Sequence, residues 1–381
     1  MSEPVWITGI GLVSSLGEGV EPHLAALRAP DAKPVVDAAS FAPFPIHPLP
    51  SLALDAQIPK KGDQRQMEPW QRLGTYAAGL ALDHAGARGL AGEMHLLVAA
   101  GGGERDVALD EAICRELAAL PPGEAGPLLN ERLANGLRPT LFLAQLSNLL
   151  AGNISIVHGV TGSSRTFMGE ESAAADAVRI ATARLAEGRG ETALVGGAYA
   201  AGRWDMLLLF SPSGGLLRGD WVPLAGRPGG GMVTGSLGAF LVLETARHAR
   251  ARGARGLAAI GAVRNGAARR RGGDTARASA LALAEGLPLR PGHAVFSGAS
   301  GVAGALEEER AFLDTLTEAG PVRFTTDLLG HGMEASFPAN LALAALALQA
   351  GLVPQALVTG FGLWRGEALA VLEPVGEEAE G

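Results

Sequence analysis

The sequence predicts a layered α/β protein made of two similar halves, and three observations carry that expectation. Short apolar runs that end in glycine alternate with longer stretches in which apolar residues fall at helical spacing. Fifty-four glycines stand against eleven Phe, five Trp and two Tyr, which suits a core of Ala, Leu and Val with backbones packed closely over glycine. Residues 337–351 (FPANLALAALALQAG) are apolar nearly all round, so a helix there belongs at the centre of the molecule and not on its surface.

Taken in order, residues 5–8 read as a short buried strand stopped by a glycine turn, and residues 96–100 as a second strand before Gly101, Gly102 and Gly103. Between them, Trp70, Leu73, Tyr76, Ala77 and Leu80 mark a helix over residues 67–87. Residues 140–150 read as an apolar helix, 165–168 as a strand, and 172–187 as an alanine-rich helix closed by Gly188. A strand over 192–195 is expected to stop at Gly196 and Gly197, followed by a strand at 238–244 and a solvated, arginine-rich helix over 244–256. The second half repeats the grammar with strands at 294–296, 324–326, 357–359 and 369–372, an amphipathic helix at 306–319 and the buried helix at 337–351. The basic run 269–271 reads as an exposed loop, and the halves divide as residues 1–250 and 251–381. The layers are expected to be two sheets with helices between and outside them.

Composition narrows the function. A chain of 381 residues with 48% apolar and 18% charged residues is globular and buries a large core. Its net charge of −8 has the wrong sign for a binder of phosphate backbones, so nucleic acid is not an expected partner. One cysteine, Cys114, rules out an internal disulfide and any multi-cysteine metal site, and it suits a reducing compartment. The start carries Glu3 where a secretory leader has positive charge, and no window holds the run of about 20 apolar residues that a membrane span needs, so a cytoplasmic location and no span are expected. No metal or cofactor is expected: the eight histidines are scattered without ligand spacing.

Four motifs invite chemistry. Gly9 and Gly11 resemble a dinucleotide turn, but Ser14 stands where the third glycine belongs, and a tight turn explains them as well. Gly101, Gly102 and Gly103 follow a strand as a phosphate cradle would, but the partnering lysine is absent. His331, flanked by glycines before a buried helix, either presents its imidazole to a cleft or caps the helix. Glu170 and Glu171 open the alanine-rich helix, where acids gain about 0.3–1 kcal/mol from the macrodipole without any catalytic duty.

Together these segments resemble the thiolase-fold β-ketoacyl-acyl carrier protein synthases over almost the whole chain. The stretches that carry the likeness are VWITGIGLVSSLGEGVEPHLAALRAP, RQMEPWQRLGTYAAGLALDHAGA, LRPTLFLAQLSNLLAGNISIVHGVTG, LVGGAYA, GSLGAFLVLETARHARARGAR, LLGHGMEASFPA and TGFGLW, in family order. The resemblance implies a five-layered αβαβα thiolase fold. It also implies a chemistry in which a cysteine at the head of the central helix takes an acyl chain, helped by two histidines and a lysine.

Several parts of that machinery are missing. Alignment from Gly162 to Gly196 puts Glu171 at the cysteine position, Ser297 at the first histidine and Thr326 at the lysine, and no lysine follows residue 61; His331 alone matches. A carboxylate cannot replace the thiolate, because an acyl anhydride would hydrolyse instead of storing the chain. The chain is therefore most similar to the family's chain-length-factor subunits, such as those of fatty acid, polyketide or aryl polyene pathways. Such subunits lack the cysteine and pair as a heterodimer with an active ketosynthase that works on acyl carrier protein-bound chains. In that likeness Val107, Leu109 and Ile113 of DVALDEAIC face either the acyl tunnel or the subunit's own core, Phe361 of TGFGLW is a further substrate-binding candidate, and residues 164–168 form the strand that pairs across the two-fold axis. Two other readings stay open. In one, Glu171 and His331 serve as a general acid/base pair of a stand-alone decarboxylase or hydrolase, with burial raising the Glu171 pKa toward neutrality. In the other, the chain is a pseudo-enzyme that binds acyl carrier protein.

Overall fold

The computed structural model describes residues 3–139 and 141–376. Besides two-residue strands at Gly17–Glu18, Ile46–His47 and Thr234–Gly235, each half contributes five strands to one sheet. In the first these are β1 (Val5–Ser14), β2 (His95–Ala99), β3 (Ser164–Phe167), β4 (Thr192–Tyr199) and β5 (Leu237–Thr245), hydrogen-bonded in the order β3-β2-β4-β5-β1. In the second they are β6 (Ala258–Gly266), β7 (Ala294–Ser297), β8 (Val322–Phe324), β9 (Ala356–Phe361) and β10 (Glu367–Glu373), in the order β8-β7-β9-β10-β6. Renumbered within its half, each order is the same, and so are the directions: β2 runs parallel to β3 and β4 as β7 does to β8 and β9, and the remaining pairs are antiparallel. The halves meet through two residue pairs, Trp6 with Ala259 and Ile7 with Ala258, so the expected two sheets are hydrogen-bonded into one continuous surface.

Helices complete the five layers. In chain order the principal ones are α1 (Glu21–Arg28), α2 (Pro69–His84), α3 (Val107–Ala118), α4 (Ala125–Gly136), α5 (Leu149–His158), α6 (Glu170–Ala186), α7 (Trp204–Phe210), α8 (Ala246–Ala251), α9 (Ala276–Ala284), α10 (Ala303–Leu313) and α11 (Ser336–Gln349). The middle layer is α6 and α11, which touch each other and both half-sheets. From Ser336 to Leu348 every residue of α11 is buried, and α6 turns Ala173, Ala174, Ala175, Ala177 and Ala181 inward. Alanine suits both helices: it has the best helix propensity, and its small side chain lets the helices sit close between sheets. Outside, α2 and α5 cover the first half, α9 and α10 the second.

The glycines that seemed to stop strands in fact lie inside them. β1 passes through Gly9 and Gly11, where a Cβ would stand 2.5 Å from the Ala81 carbonyl oxygen and 1.8 Å from that of Ala77, so they seat α2 on the strand instead of making a turn. β4 likewise runs on through Gly196 and Gly197 to Tyr199. Gly196 leaves no room for a Cβ, which would lie 2.1 Å from the Ala239 carbonyl oxygen across the ladder.

Other boundaries also moved. The helix read over 140–150 resolves into a single turn, Leu141–Ala144, and α5, while Thr140 lies outside the described residues. The arginine-rich helix shortens to α8, because the chain must turn at Gly253 (φ +69°) to enter β6. Thr326 is not in a strand but opens a one-turn helix, Thr326–Leu329, after β8 ends at Phe324. Within the basic run, Arg269 and Arg271 are exposed, but Arg270 is half-buried and bonds Glu367 and the carbonyls of Gly362 and Leu363. β6, α3, α4, α7 and α9 are not among the elements read from the sequence. No helix among the described residues is long and apolar enough to cross a membrane.

Candidate active site and its cleft

The head of α6 sits where the two halves meet. Gly169 (φ +134°) and Glu170 (φ +51°) turn the chain sharply out of β3, and Ser172 Oγ donates to the Gly169 carbonyl at 2.8 Å. This turn aims Glu171 inward at the segment before α11, where His331 is fully buried. Glu171 Oε1 lies 2.8 Å from His331 Nε2 and accepts the Leu363 backbone N–H at 3.3 Å. Burial pushes the Glu171 carboxyl up, but the His331 hydrogen bond and charge outweigh it and hold the group below its ordinary value. The raised pKa expected for Glu171 is therefore not found.

The other two family positions are engaged elsewhere. Ser297 Oγ donates to Glu309 Oε1 at 2.7 Å, and Thr359 Oγ1 reaches the same oxygen at 2.5 Å. Glu309 is fully buried, and burial raises its carboxyl despite those two donors. Thr326 Oγ1 donates to the Ala299 carbonyl at 2.8 Å, so it holds a turn. Both hydroxyls thus serve the fold, and neither carries a group able to charge or to shuttle a proton near neutrality.

Beside the Glu171–His331 pair opens a cleft of about 680 Å3. Its walls include Trp70, Met168, Phe210, Met333 and Trp364, with the Phe210 and Trp364 rings stacked at 5.4 Å, and its polar lining includes Glu170, Tyr199, Arg203, Asp205, Glu334 and Arg365. Gly101, Gly102 and Gly103 line it too, but as no phosphate cradle. A Cβ on Gly101 would lie 2.4 Å from Glu334 Oε1, so this glycine makes room for a carboxyl. Glu334 was not singled out from the sequence. Its signal was one charged residue three positions after His331 in a run otherwise of small and apolar residues. Burial, reinforced by the charges of Glu171 and Glu170, raises Glu334 to about 7.

The acyl-tunnel candidates separate in space. Ile113 is buried on α3, Leu109 packs on Gly136 of α4, and half-buried Val107 lines a second cleft that shares Arg105, Arg203 and Asp205 with the first. Phe361 lies off the main cleft, in the outer layer of the second half, with its ring 5.8 Å from that of Phe312; β9 turns it away from α6.

This duplicated strand order around two central helices, with the candidate position at the head of one of them, defines a thiolase-like ketosynthase architecture. A solved structure described as the ishigamide ketosynthase/chain length factor shares it, with a TM-score of 0.79 over 99% of this chain and 100% of that one at 22% identity. The family model for the β-ketoacyl synthase N-terminal domain matches residues 46–249, and the chain belongs to the β-ketoacyl synthase family. It is 30% identical over 392 aligned positions to the tetracenomycin polyketide synthase ketoacyl synthase beta subunit of Streptomyces glaucescens, covering 94% of this chain and 88% of that protein. It is 27% identical to 3-oxoacyl-(acyl-carrier-protein) synthase 2 of Rhizobium meliloti over 66% of this chain, spanning 61% of that enzyme's length.

Proposed function

We propose that this protein is a non-condensing, chain-length-factor-like subunit that pairs with an active ketosynthase and shapes the pocket for an acyl chain held on acyl carrier protein. The observation that carries this reading is the Glu171–His331 bond at 2.8 Å: the nucleophile position is filled by a carboxylate already committed to the one family histidine present. Ser297 and Thr326 at the other two positions support it, as does the likeness to a ketoacyl synthase beta subunit. A ketosynthase of a fatty acid, polyketide or aryl polyene pathway fits the reading equally.

Pairing has a physical basis in β3. It ends the first half-sheet, half of it is exposed, and Met168 beyond it is 69% exposed, so one edge is free to pair with another chain. Leu96 N–H donates to Ser163 and Ala100 N–H to Phe167, which turns the alternate residue Thr166 outward. Co-expression with its ketosynthase is expected to yield a 1:1 complex in sedimentation velocity, and Thr166→Pro, which removes an outward N–H, is expected to dissociate it without unfolding the chain. A chain that remains monomeric and fully functional beside the ketosynthase would refute the reading.

Two further outcomes test the roles of the residues. Glu171→Cys is expected to show no condensation by this chain alone, because Ser297 and Thr326 still lack groups worth on the order of 100-fold each in rate. Product formation in a radiolabelled malonyl assay would move the site elsewhere. In the reconstituted pair Val107→Phe is expected to shorten the product because Val107 lines a cleft, while Leu109→Phe, packed on Gly136, and Ile113→Phe, buried on α3, are expected to cost about 1–3 kcal/mol by overpacking. Mass spectrometry that finds the wild-type chain length for Val107→Phe would assign α3 to the core alone.

A further inference from the structure

Two groups at the inner end of the cleft are unaccounted for by the Glu171–His331 pair. Tyr199, at the end of β4, is 4% exposed, and its phenol oxygen has no hydrogen-bond partner among the described residues although it lines the cleft. Glu334, 6% exposed, lines the same space, and no side chain among the described residues donates to it. A buried hydroxyl without a partner costs free energy in the unliganded fold and is the place where a ligand oxygen is rewarded. Backbone strain surrounds the same point: Met333 has φ +45° and Glu170 φ +51°, conformations that non-glycine residues adopt where surrounding structure enforces them.

Resting on the reading above, we infer that Tyr199 and Glu334 select the ligand: their two O–H groups hold a carbonyl oxygen of an uncharged acyl chain, and the Glu334 carboxyl, once ionised, turns away chains that carry a carboxylate. The charges around the cleft agree. Arg203 is held by Asp205 at 2.7 Å and by the Gly103 carbonyl, Arg105 by Asp110 at 2.6 Å, and Arg365 reaches Glu170 at 3.4 Å, so these guanidiniums are already matched. An anionic ligand would meet Glu334, Glu170 and, behind the wall, Glu171. Burial keeps the Tyr199 phenol protonated and holds Glu334 near 7, which makes both of them donors below neutrality. Besides burial, the groups that set the Glu334 proton are Glu171 and Glu170 from α6, Arg203 ahead of α7, and its own backbone N–H; with one cation against two carboxylates, deprotonation above about 7 adds a third negative charge.

The test uses two N-acetylcysteamine thioesters of equal length, octanoyl and 7-carboxyheptanoyl, titrated by calorimetry into the full chain and into its ketosynthase complex. The octanoyl thioester is expected to bind about tenfold or more tightly than its carboxylate counterpart at pH 7, and to weaken as pH rises from 6 to 8.5. Glu334→Gln is expected to abolish that pH dependence and to raise carboxylate affinity about tenfold, while Tyr199→Phe weakens octanoyl binding about fivefold or more. If either variant fails to fold, the wild-type pH profile and the ratio of the two ligands decide. Equal binding of both thioesters, or a flat pH profile, overturns this inference and leaves the subunit reading standing; binding of neither, in the chain or in the complex, overturns both.

Discussion

Gly11→Ala is expected to unfold the protein or to leave it with a loss on the order of 3–5 kcal/mol. The added methyl would stand 1.8 Å from the Ala77 carbonyl oxygen and 2.6 Å from the Ala81 backbone nitrogen, so it meets main chain and not a side chain that can rotate aside. Relief requires α2 to lift from β1 over its whole length, which unpacks Leu73, Ala77 and Ala81, all fully buried. Gly102→Ala is the control: nothing lies within 4 Å of its Cβ position, and it is expected to cost little. Urea denaturation of both variants checks the claim, and a Gly11→Ala midpoint within error of wild type would show that β1 and α2 are not in close contact.

His331→Ala is expected to cost about 3–5 kcal/mol at neutral pH, because it leaves the Glu171 carboxylate buried without its partner. The sign of the pH dependence then reverses. In the wild type the folded pKa of Glu171 lies below its ordinary 4.5, so its contribution is present above 4.5 and is lost as pH falls through the folded value. Without His331 burial dominates and the folded pKa rises above 4.5. Stability contributed by this group is then greatest at acid pH and declines as pH increases through the new value. Adding Glu171→Gln to His331→Ala is expected to recover a large part of the loss, since the neutral amide has no charge to desolvate. Denaturation curves between pH 4 and 8 read out the slope; a variant that keeps the wild-type slope would show that His331 does not set the Glu171 charge.

The aryl, methionine and carboxyl lining of the cleft depends on contacts that are remote in sequence. Gly101, Glu170, Tyr199 and Glu334 come from four separated segments, and the duplicated strand order is what brings them to one place. No local pattern in those segments announces the meeting. Glu171 and His331 were readable because each stands at a marked position, one at a helix head and the other between glycines. Their pairing was legible only through the family resemblance, since 160 positions separate them. The same limit explains Phe361, whose motif is near the cleft in sequence but whose side chain alternates to the outer face of β9.

By itself the sequence determined the layered α/β class, the central place of α6 and α11, and the absence of cysteine and lysine from the positions that condensation needs. The class and the two helices follow from local periodicity and composition, and the missing groups from the resemblance to the ketosynthases, none of which needs knowledge of what packs against what. Only the tertiary structure decided that Gly9, Gly11, Gly196 and Gly197 continue strands instead of ending them, because the reason is a neighbouring backbone too close for a Cβ. It likewise decided that Glu171 is held below its ordinary pKa and Glu334 well above it. Two buried carboxyls of one type diverge because one has an imidazole 2.8 Å away, whereas burial of the other is reinforced by the charges of Glu171 and Glu170.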